Sequence, residues 1–250
     1  MGWIALAFLI TAALYASVGF GGGSTYTALL TLAGVDYKIL PAVSLICNVI
    51  VVTGGTVRFA RAGEVQWRRV LPLVAVSAPL AFLGGLTPIK QQSFMIVLAL
   101  SLLVAGLLLL FQHDRHAHSA PLRNSANSFD VLAGAATGYL AGLVGIGGGI
   151  FLAPILHLTR WGSPRSIAAT ASVFILVNSV FGLAGQLTKL GTAHAISAIS
   201  TYWLLGVAVL IGGQIGSFAS VKLLSQAFVR RGTALLILYV AVQLLWRQMG

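Results

Sequence analysis

Acidic side chains and cysteines are the scarcest features of this sequence. Its 250 residues include only four Asp and Glu, against fifteen Lys and Arg. The single cysteine, Cys47, excludes an internal disulfide bond and a multi-cysteine metal site. Charged residues of both signs make up 8% of the chain, whereas 58% of the residues are hydrophobic. A water-soluble domain carries far more charge, so the composition indicates an integral membrane protein.

Long stretches without any charged residue divide the chain. A transmembrane helix needs about 20 apolar residues, and seven stretches have about this length or more, followed by a shorter one. Eight spans would occupy roughly 160 residues, which leaves no room for a second, water-soluble domain. The stretches are 2–35, 39–57, 70–89, 91–113, 131–159, 166–188, 190–221 and 232–246.

The few acidic residues, Asp36, Glu64, Asp114 and Asp130, lie in or beside the loops between these stretches. None stands in the middle of a stretch, where a carboxylate would relay protons or bind a driving cation. An intramembrane enzyme would need an activated nucleophile or a metal cluster, and the sequence has neither a G-x-S-x-G elbow nor a His/Glu ligand helix. We therefore expect no enzymatic activity, no cofactor and no bound metal.

A glycine motif occurs at matching points of the two halves. Residues 19–23 read Gly-Phe-Gly-Gly-Gly, and residues 145–149 read Gly-Ile-Gly-Gly-Gly, each inside a long apolar stretch. The most polar segment of the chain, 113–128, lies between the halves and is typical of a linker. The sequence therefore divides into a first membrane repeat at 1–112, this polar linker, and a second membrane repeat at 129–250.

Further matches between the halves follow the motifs at an offset of 128, two more than the offset of the motifs themselves. This difference predicts a two-residue insertion around 161–164 in the second half. The correspondence between Gly84 and Gly216 is less firmly set by the sequence. The other matches are 42–45 with 170–173, Gly54 with Gly182, and Gly63 with Gly191.

The distribution of basic residues favours an inverted relation between the repeats. If every long stretch crossed the membrane once, the two sides would carry eight and seven basic residues. If each glycine-containing stretch instead returns to its starting side, one side of the membrane carries eleven basic residues and the other side four. The eleven lie in the loops 58–69, 112–128, 159–165 and 220–231. This excess on one side, the cytoplasmic side, is what the positive-inside rule requires. The sequence thus predicts an all-α integral membrane protein with two inverted-topology repeats of about four to five transmembrane helices each, broken at the GxGGG motifs, and with both termini outside.

The triple glycines allow the backbone to leave the helix, because glycine tolerates a positive φ. Broken backbone inside a membrane is tolerated only against protein or a water-filled cavity. A helix that restarts at Ser24, or at Ile150, presents amide N–H groups and the positive end of its dipole to the midplane, as inverted-repeat transporters do for anions. Two such ends predict one central anion site. Close helix packing of the small-xxx-small kind is the alternative role for these glycines.

The paired motifs give the chain a family resemblance. The duplicated GxGGG, the following A-x-S or T-A-S segment, and the R/Q-x-x-x-x-G pattern at 58–63 and 186–191 resemble the sulfite exporter TauE/SafE family of membrane permeases. The resemblance covers nearly the whole chain outside the linker. It implies transport of small sulfur-containing oxyanions such as sulfite or organosulfonates, without ATP hydrolysis, across the cell inner (plasma) membrane. One departure is Pro154 in the second copy, where the first has Ala28, so the two halves are chemically unequal.

Neutral donors in or just after the motifs complete the expected site. Hydroxyl and amide groups donate hydrogen bonds to an oxyanion without bringing a second charge, although each of them also has a structural alternative in bonding its own backbone or a neighbouring helix. The expected substrate-binding residues are Gly21, Gly22, Gly23, Ser24, Thr25, Ser44, Asn48, Gly147, Gly148, Gly149, Thr170, Ser172 and Asn178.

We therefore expect a secondary transporter that alternates its access around a midplane site formed by two broken helices. An anion channel, or a facilitator of other small organic anions, is the alternative. The expected partners are the small anion, the lipid bilayer and a second copy in a homodimer. Nucleic acid is not expected despite the net charge of +11, because the basic residues sit in short loops. The substrate, the direction, proton or sodium coupling and the oligomeric state do not follow from these residues.

Overall fold

The computed structural model describes residues 2–111, 128–159, 161–191, 197–218 and 226–249, and every regular element in these ranges is helical. Most of the predicted linker, 113–127, lies outside the described residues, as do Arg160 and His194. The helices are α1 (Gly2–Val18), α2 (Gly23–Leu32), α3 (Leu40–Arg61), α4 (Trp67–Leu86), α5 (Gln91–Phe111), α6 (Ser128–Val144), α7 (Gly149–Leu158), α8 (Pro164–Leu190), α9 (Trp203–Phe218) and α10 (Gln226–Met249).

Length and composition make this an integral membrane protein. Among the described helices, α3, α4, α5 and α8 have 20 to 27 residues and are long and apolar enough to cross a membrane, while α1, α6, α9 and α10 contain shorter apolar segments. Large apolar side chains such as Leu132 and Trp246 lie exposed on the outer surface. Exposed apolar surface on that scale suits lipid, not water. The predicted all-α membrane fold is confirmed.

Both glycine motifs interrupt the helices, as predicted. The first helix ends at Val18 and the next begins at Gly23, while α6 ends at Val144 and α7 begins at Gly149. The residue before each restart is a glycine with positive φ, +108° at Gly22 and +77° at Gly148. A side chain at either position would be strained, so the glycines are what allow the chain to change direction.

The main helix contacts are the same when α1–α5 are exchanged for α6–α10. The first helix packs along α9 just as α6 packs along α4, and α3 packs on α9 as α8 packs on α4. The short helices correspond in the same way, because α2 packs on α10 and α7 packs on α5. Two further pairs, α3 with α8 and α5 with α10, each join equivalent helices. This pattern supports a duplicated architecture, and the inverted orientation of the halves stays a prediction.

Glycines allow close backbone contact between α4 and α6 and between α1 and α9. A Cβ atom on Gly84 would overlap the carbonyl oxygen of Tyr139, and one on Gly216 would overlap that of Ala13. Tyr139 and Ala13 are 126 residues apart, the same offset as the two glycine motifs. The two contacts are therefore equivalent, which supports the correspondence between Gly84 and Gly216 that the sequence left uncertain.

Candidate functional site

The two helix breaks meet at the centre of the protein. The space that a Cβ atom on Gly23 would need is occupied by the carbonyl oxygen of Ile146 and by Nδ2 of Asn48. Gly23 opens α2 in the first half, and Ile146 lies in the break before α7 in the second. The start of one short helix thus rests against the backbone break that precedes the other.

Asn48 of α3 lies between the two breaks and is fully buried. Its Nδ2 donates a hydrogen bond to the Ile146 carbonyl oxygen at 3.2 Å. A Cβ atom on Gly21 would lie 2.6 Å from Asn48 Oδ1, and one on Gly147 would lie 2.7 Å from Nδ2. Only glycine fits at these places. Within the described residues the buried Oδ1 has no hydrogen-bond partner, which leaves one acceptor facing the centre.

Ser44, one turn before Asn48, also joins the two breaks. Its Oγ lies 2.7 Å from the carbonyl oxygen of Gly145 and 3.2 Å from that of Gly23, and the side chain is fully buried. One hydroxyl proton can serve one of these carbonyls at a time. Ser44 therefore holds backbone from both halves together.

The facing helix α8 contributes Ile175 and Ser179. A Cβ atom on Gly147 would lie 3.0 Å from Ile175 Cγ2 and 3.1 Å from Ser179 Oγ, and the Ser179 hydroxyl is buried without a hydrogen-bond partner in the described part of the chain. Sequence reasoning selected Asn178 and missed Ser179. The helical repeat could have identified it, because Ile175 and Ser179 are four residues apart and therefore lie on the same face of α8.

The surroundings of the two equivalent glycines show how unequal the halves are. Gly21 faces Asn48, Val52 and Ile175, and Gly147 faces Ile175, Ser179 and Asn48. The polar Asn48 of the first half therefore occupies the place that the apolar Ile175 occupies in the second half. In the same way, the apolar Val52 corresponds to the polar Ser179. The predicted chemical inequality lies at the centre itself. The residues of each pair, Asn48 with Ile175 and Val52 with Ser179, are 127 positions apart in the sequence. The matching sequence segments that follow the motifs are 128 positions apart, one more.

Backbone N–H groups at the two helix starts lie in this region. In the ranges that the structure describes, no acceptor is recorded for the N–H groups of Gly23, Ser24 and Thr25 at the start of α2, or for those of Gly149 and Ile150 at the start of α7. The first N–H groups of any helix lack partners within that helix. Here both starts are mostly buried and lie near one another, so together they make a donor-rich centre.

Two other predicted hydroxyl side chains near the breaks, those of Thr25 and Ser172, bond within the protein. Thr25 Oγ1 lies 3.0 Å from the hydroxyl of Tyr15, and Ser24 is buried beside it in the first turn of α2. Ser172 Oγ lies 2.8 Å from Thr56 Oγ1, next to Gly55. The hydroxyls of Thr25 and Ser172 are therefore paired with other side chains, Tyr15 and Thr56.

Two predicted residues bond elsewhere. Thr170 accepts a hydrogen bond at 3.2 Å from Nε1 of Trp161, which lies between α7 and α8. Asn178 Nδ2 donates to the carbonyl oxygen of Phe174 in its own helix at 2.8 Å, although its Oδ1 is buried without a partner in the described part of the chain. The structure therefore does not bring these side chains to the glycine breaks.

The other three glycines predicted as site residues face aromatic, apolar or backbone groups. A Cβ atom on Gly22 would lie 3.1 Å from the Tyr26 ring, and one on Gly148 would lie 2.9 Å from Phe174. A Cβ atom on Gly149 would overlap Ile175. These three glycines shape the breaks, whereas Gly21, Gly23 and Gly147 face Asn48.

The centre contains no ionised side chain among the described residues. Of the basic side chains that the structure describes, Arg69 alone is buried, and it lies elsewhere, donating to Gln66 and to the Trp161 carbonyl with its guanidinium 4.0 Å from the Trp161 ring centroid. Asp130, expected beside a loop, lies in the first turn of α6 but is buried. No group of three or more His, Cys, Asp or Glu that could hold a metal comes together in the described ranges.

Comparison with known proteins gives consistent matches. The model of the family described as "Sulfite exporter TauE/SafE" matches residues 4–244. A probable membrane transporter protein of Sinorhizobium fredii is 32% identical over 253 residues, covering 97% of both chains. One of Xylella fastidiosa is 26% identical over 241 residues, 91% of this chain and 88% of its own. One of Methanocaldococcus jannaschii is 27% identical over 179 residues, 68% of this chain and 66% of its own. No solved structure matches.

Proposed function

Since the chain belongs to the sulfite exporter TauE/SafE family of membrane transporters, we propose that it carries small sulfur-containing oxyanions such as sulfite or organosulfonates across the cell inner membrane. The proposed site is the centre formed by the breaks before α2 and α7, with Asn48 between them. Transport is proposed to be secondary, without ATP hydrolysis.

The observation that carries this proposal is the meeting of two helix starts around one buried amide. The N–H groups of Ser24 and Thr25 are donors without acceptors in the described residues, and Gly149 and Ile150 add donors from the other half. Oxyanions are pure acceptors at their charged oxygens, and helix starts favour negative charge. A sulfonate or sulfite group therefore matches the centre in charge and in hydrogen-bonding type.

Burial of the centre supports alternating access. Ser44 and Asn48 have no exposed surface, and Ser24 and Thr25 retain only 2–3%. A substrate held there would be shielded from both aqueous sides, so its release needs the helices to move. Transporters built from repeats achieve this when one bundle rocks against the other around a fixed site, and the shared packing pattern of α1–α5 and α6–α10 offers two such units.

Export has a sufficient driving force without a coupling carboxylate. An anion leaving a cell that is negative inside gains about 2.3 kcal/mol per charge for each 100 mV. Asp130, the buried acid of α6, lies in the first turn of that helix, whereas the glycine break follows its last residue, Val144. We therefore propose transport driven by the membrane potential and the concentration gradient.

A binding measurement on the purified protein tests the proposed site. We expect a radiolabelled sulfonate to bind the wild-type protein and to lose binding in Gly147→Val, because the new side chain overlaps Asn48 Nδ2 at a positive φ. Gly54→Val is the matched control, since Gly54 lies in the apolar helix α3 but has open space where its Cβ atom would be. Equal binding by both variants would place the site elsewhere. Non-saturable flux that includes chloride would favour an anion channel.

A further inference from the structure

We infer that the central site selects oxyanions that carry a single negative charge, namely hydrogen sulfite and monovalent sulfonates, and rejects the dianions sulfite and sulfate. This inference rests on the proposed function and specifies its substrate. It depends on three properties of the centre: the amount of positive charge, the presence of an acceptor, and the absence of nearby groups that titrate near neutral pH.

The positive charge at the centre matches one negative charge. Each helix start is equivalent to about half an elementary positive charge, so the starts of α2 and α7 together offer about one. No basic side chain of the described residues adds to it, because Arg69 is the only buried one and is bonded to Gln66 and Trp161 away from the glycine breaks. The cost of removing an ion from water grows with the square of its charge, so a dianion would be left largely uncompensated.

The centre also contains an acceptor that a dianion cannot use. Asn48 Oδ1 is buried and without a partner in the described residues, since Asn48 donates through Nδ2 to Ile146. Hydrogen sulfite carries an O–H group that can donate to this oxygen, whereas sulfite and sulfate dianions offer only acceptors. The Ser179 hydroxyl, buried and equally without a partner there, can donate to an anionic oxygen.

Apolar side chains at the centre accommodate the organic part of a sulfonate. Ile175 faces both Gly21 and Gly147, and Val52 faces Gly21. A small alkyl group on sulfur would lie against these side chains and lose contact with water, which is favourable. The site can therefore hold a sulfonate without an O–H donor, and both ligand types carry one charge.

Among the described residues, the groups that ordinarily titrate near or below neutral pH lie away from the centre. Tyr15 on α1, Tyr26 on α2, Cys47 on α3 and Tyr139 on α6 are titratable residues on the elements that meet there, and their ordinary pKa values lie above neutrality. The same is true of the basic residues at the ends of α3 and α8, which are Arg58, Arg61, Arg165 and Lys189. His157 lies at the far end of α7 and is exposed, and Asp130 lies in the first turn of α6. A change of sulfite transport with pH should therefore follow the ionisation of sulfite itself.

Flux into proteoliposomes tests this inference, with pH equal on both sides and the membrane potential clamped. At fixed total sulfite we expect the initial rate to fall as pH rises, approaching about tenfold per pH unit above the second ionisation of sulfite. Methanesulfonate, which stays singly charged, is the control and should show no such fall. The charge moved per sulfur atom should be one elementary charge, and sulfate should not compete.

Matched serine variants test the site under the same conditions. Ser179→Ala should lower the apparent affinity for methanesulfonate about tenfold, the equivalent of one charge-assisted hydrogen bond. Ser77→Ala is the control, because Ser77 is also buried without a hydrogen-bond partner in the described residues but lies on α4 against Gly138. Equal losses in the two variants would overturn the assignment of Ser179.

The remaining outcomes separate the inference from the proposed function. A sulfite rate that rises with pH, or two charges moved per sulfur, would overturn selection of the monoanion and leave sulfur oxyanion transport intact. A parallel fall for methanesulfonate would assign the pH dependence to the protein and also overturn the inference. Failure of both anions to move at any pH would remove the proposed function together with it.

Discussion

The hydroxyl of Ser44 lies 2.7 Å from the carbonyl oxygen of Gly145, so that a side chain of the first half is bonded to the broken backbone of the second. One turn further along α3, Asn48 bonds the next residue of the same break, Ile146. Both side chains are fully buried. The geometry of one break therefore depends on a helix from the other half, which ties the two repeats together where the anion is proposed to bind.

Replacement of Asn48 should affect transport far more than replacement of Asn178. Asn48→Leu removes the hydrogen bond to Ile146 and the acceptor at the centre, so we expect at least a tenfold loss of sulfite flux. Asn178→Leu removes a bond within α8 only and should keep most of the flux. Initial rates in proteoliposomes, normalised to folded protein by size-exclusion chromatography, provide the comparison, and a larger loss in Asn178→Leu would contradict the assignment.

Ser44→Ala should destabilise the protein. The variant leaves the Gly145 carbonyl without its donor, which costs about 1–2 kcal/mol of unfolding free energy. Thr53→Ala, on the exposed side of the same helix, removes only a bond to the Val49 carbonyl and should change stability by less than about 0.5 kcal/mol. Denaturant unfolding in detergent measures both. Equal stabilities would mean that Ser44 does not hold the breaks.

Replacement of a glycine at a helix–helix contact should destabilise the protein, whereas replacement of a glycine with open space around it should not. A Cβ atom on Gly142 would overlap the Ala81 carbonyl oxygen, so Gly142→Ala should separate α6 from α4 and cost about 1–3 kcal/mol. Gly54 has open space around it in α3, and Gly54→Ala should be neutral or stabilising by up to about 1 kcal/mol. Thermal unfolding of the two variants gives the test, and similar transition temperatures would argue against close backbone packing.

The inverted orientation of the repeats is tested by labelling from each side of the membrane. Arg61 ends α3, and Lys189 lies in the last turn of the equivalent helix α8. With the buried Cys47 replaced by alanine, Arg61→Cys should react with an impermeant thiol reagent from the cytoplasmic side and Lys189→Cys from the outside. Labelling of both positions from the same side would exclude an inverted pair.

The sequence predicted the interruptions of the helices, because repeated glycines inside apolar stretches have a local physical meaning. It also selected Ser44 and Asn48, which the structure places against the breaks. Ser179 was missed because its role depends on how α3 and α8 face each other, and the packing pairs Asn48 with Ile175 where the sequence offset indicated Leu176. The burial of Arg69 and Asp130 was likewise invisible, since a charge beside a loop ordinarily reaches water.

The most direct test of the account is anion flux into proteoliposomes that contain the purified protein, with the membrane potential clamped at either sign. Sulfite, a small sulfonate and chloride are offered in turn. The account predicts that a sulfur oxyanion moves saturably, that its rate follows the potential, and that chloride does not compete. Flux that appears only with an imposed pH or sodium gradient would contradict uncoupled transport, and equal, non-saturable movement of chloride would contradict a transporter.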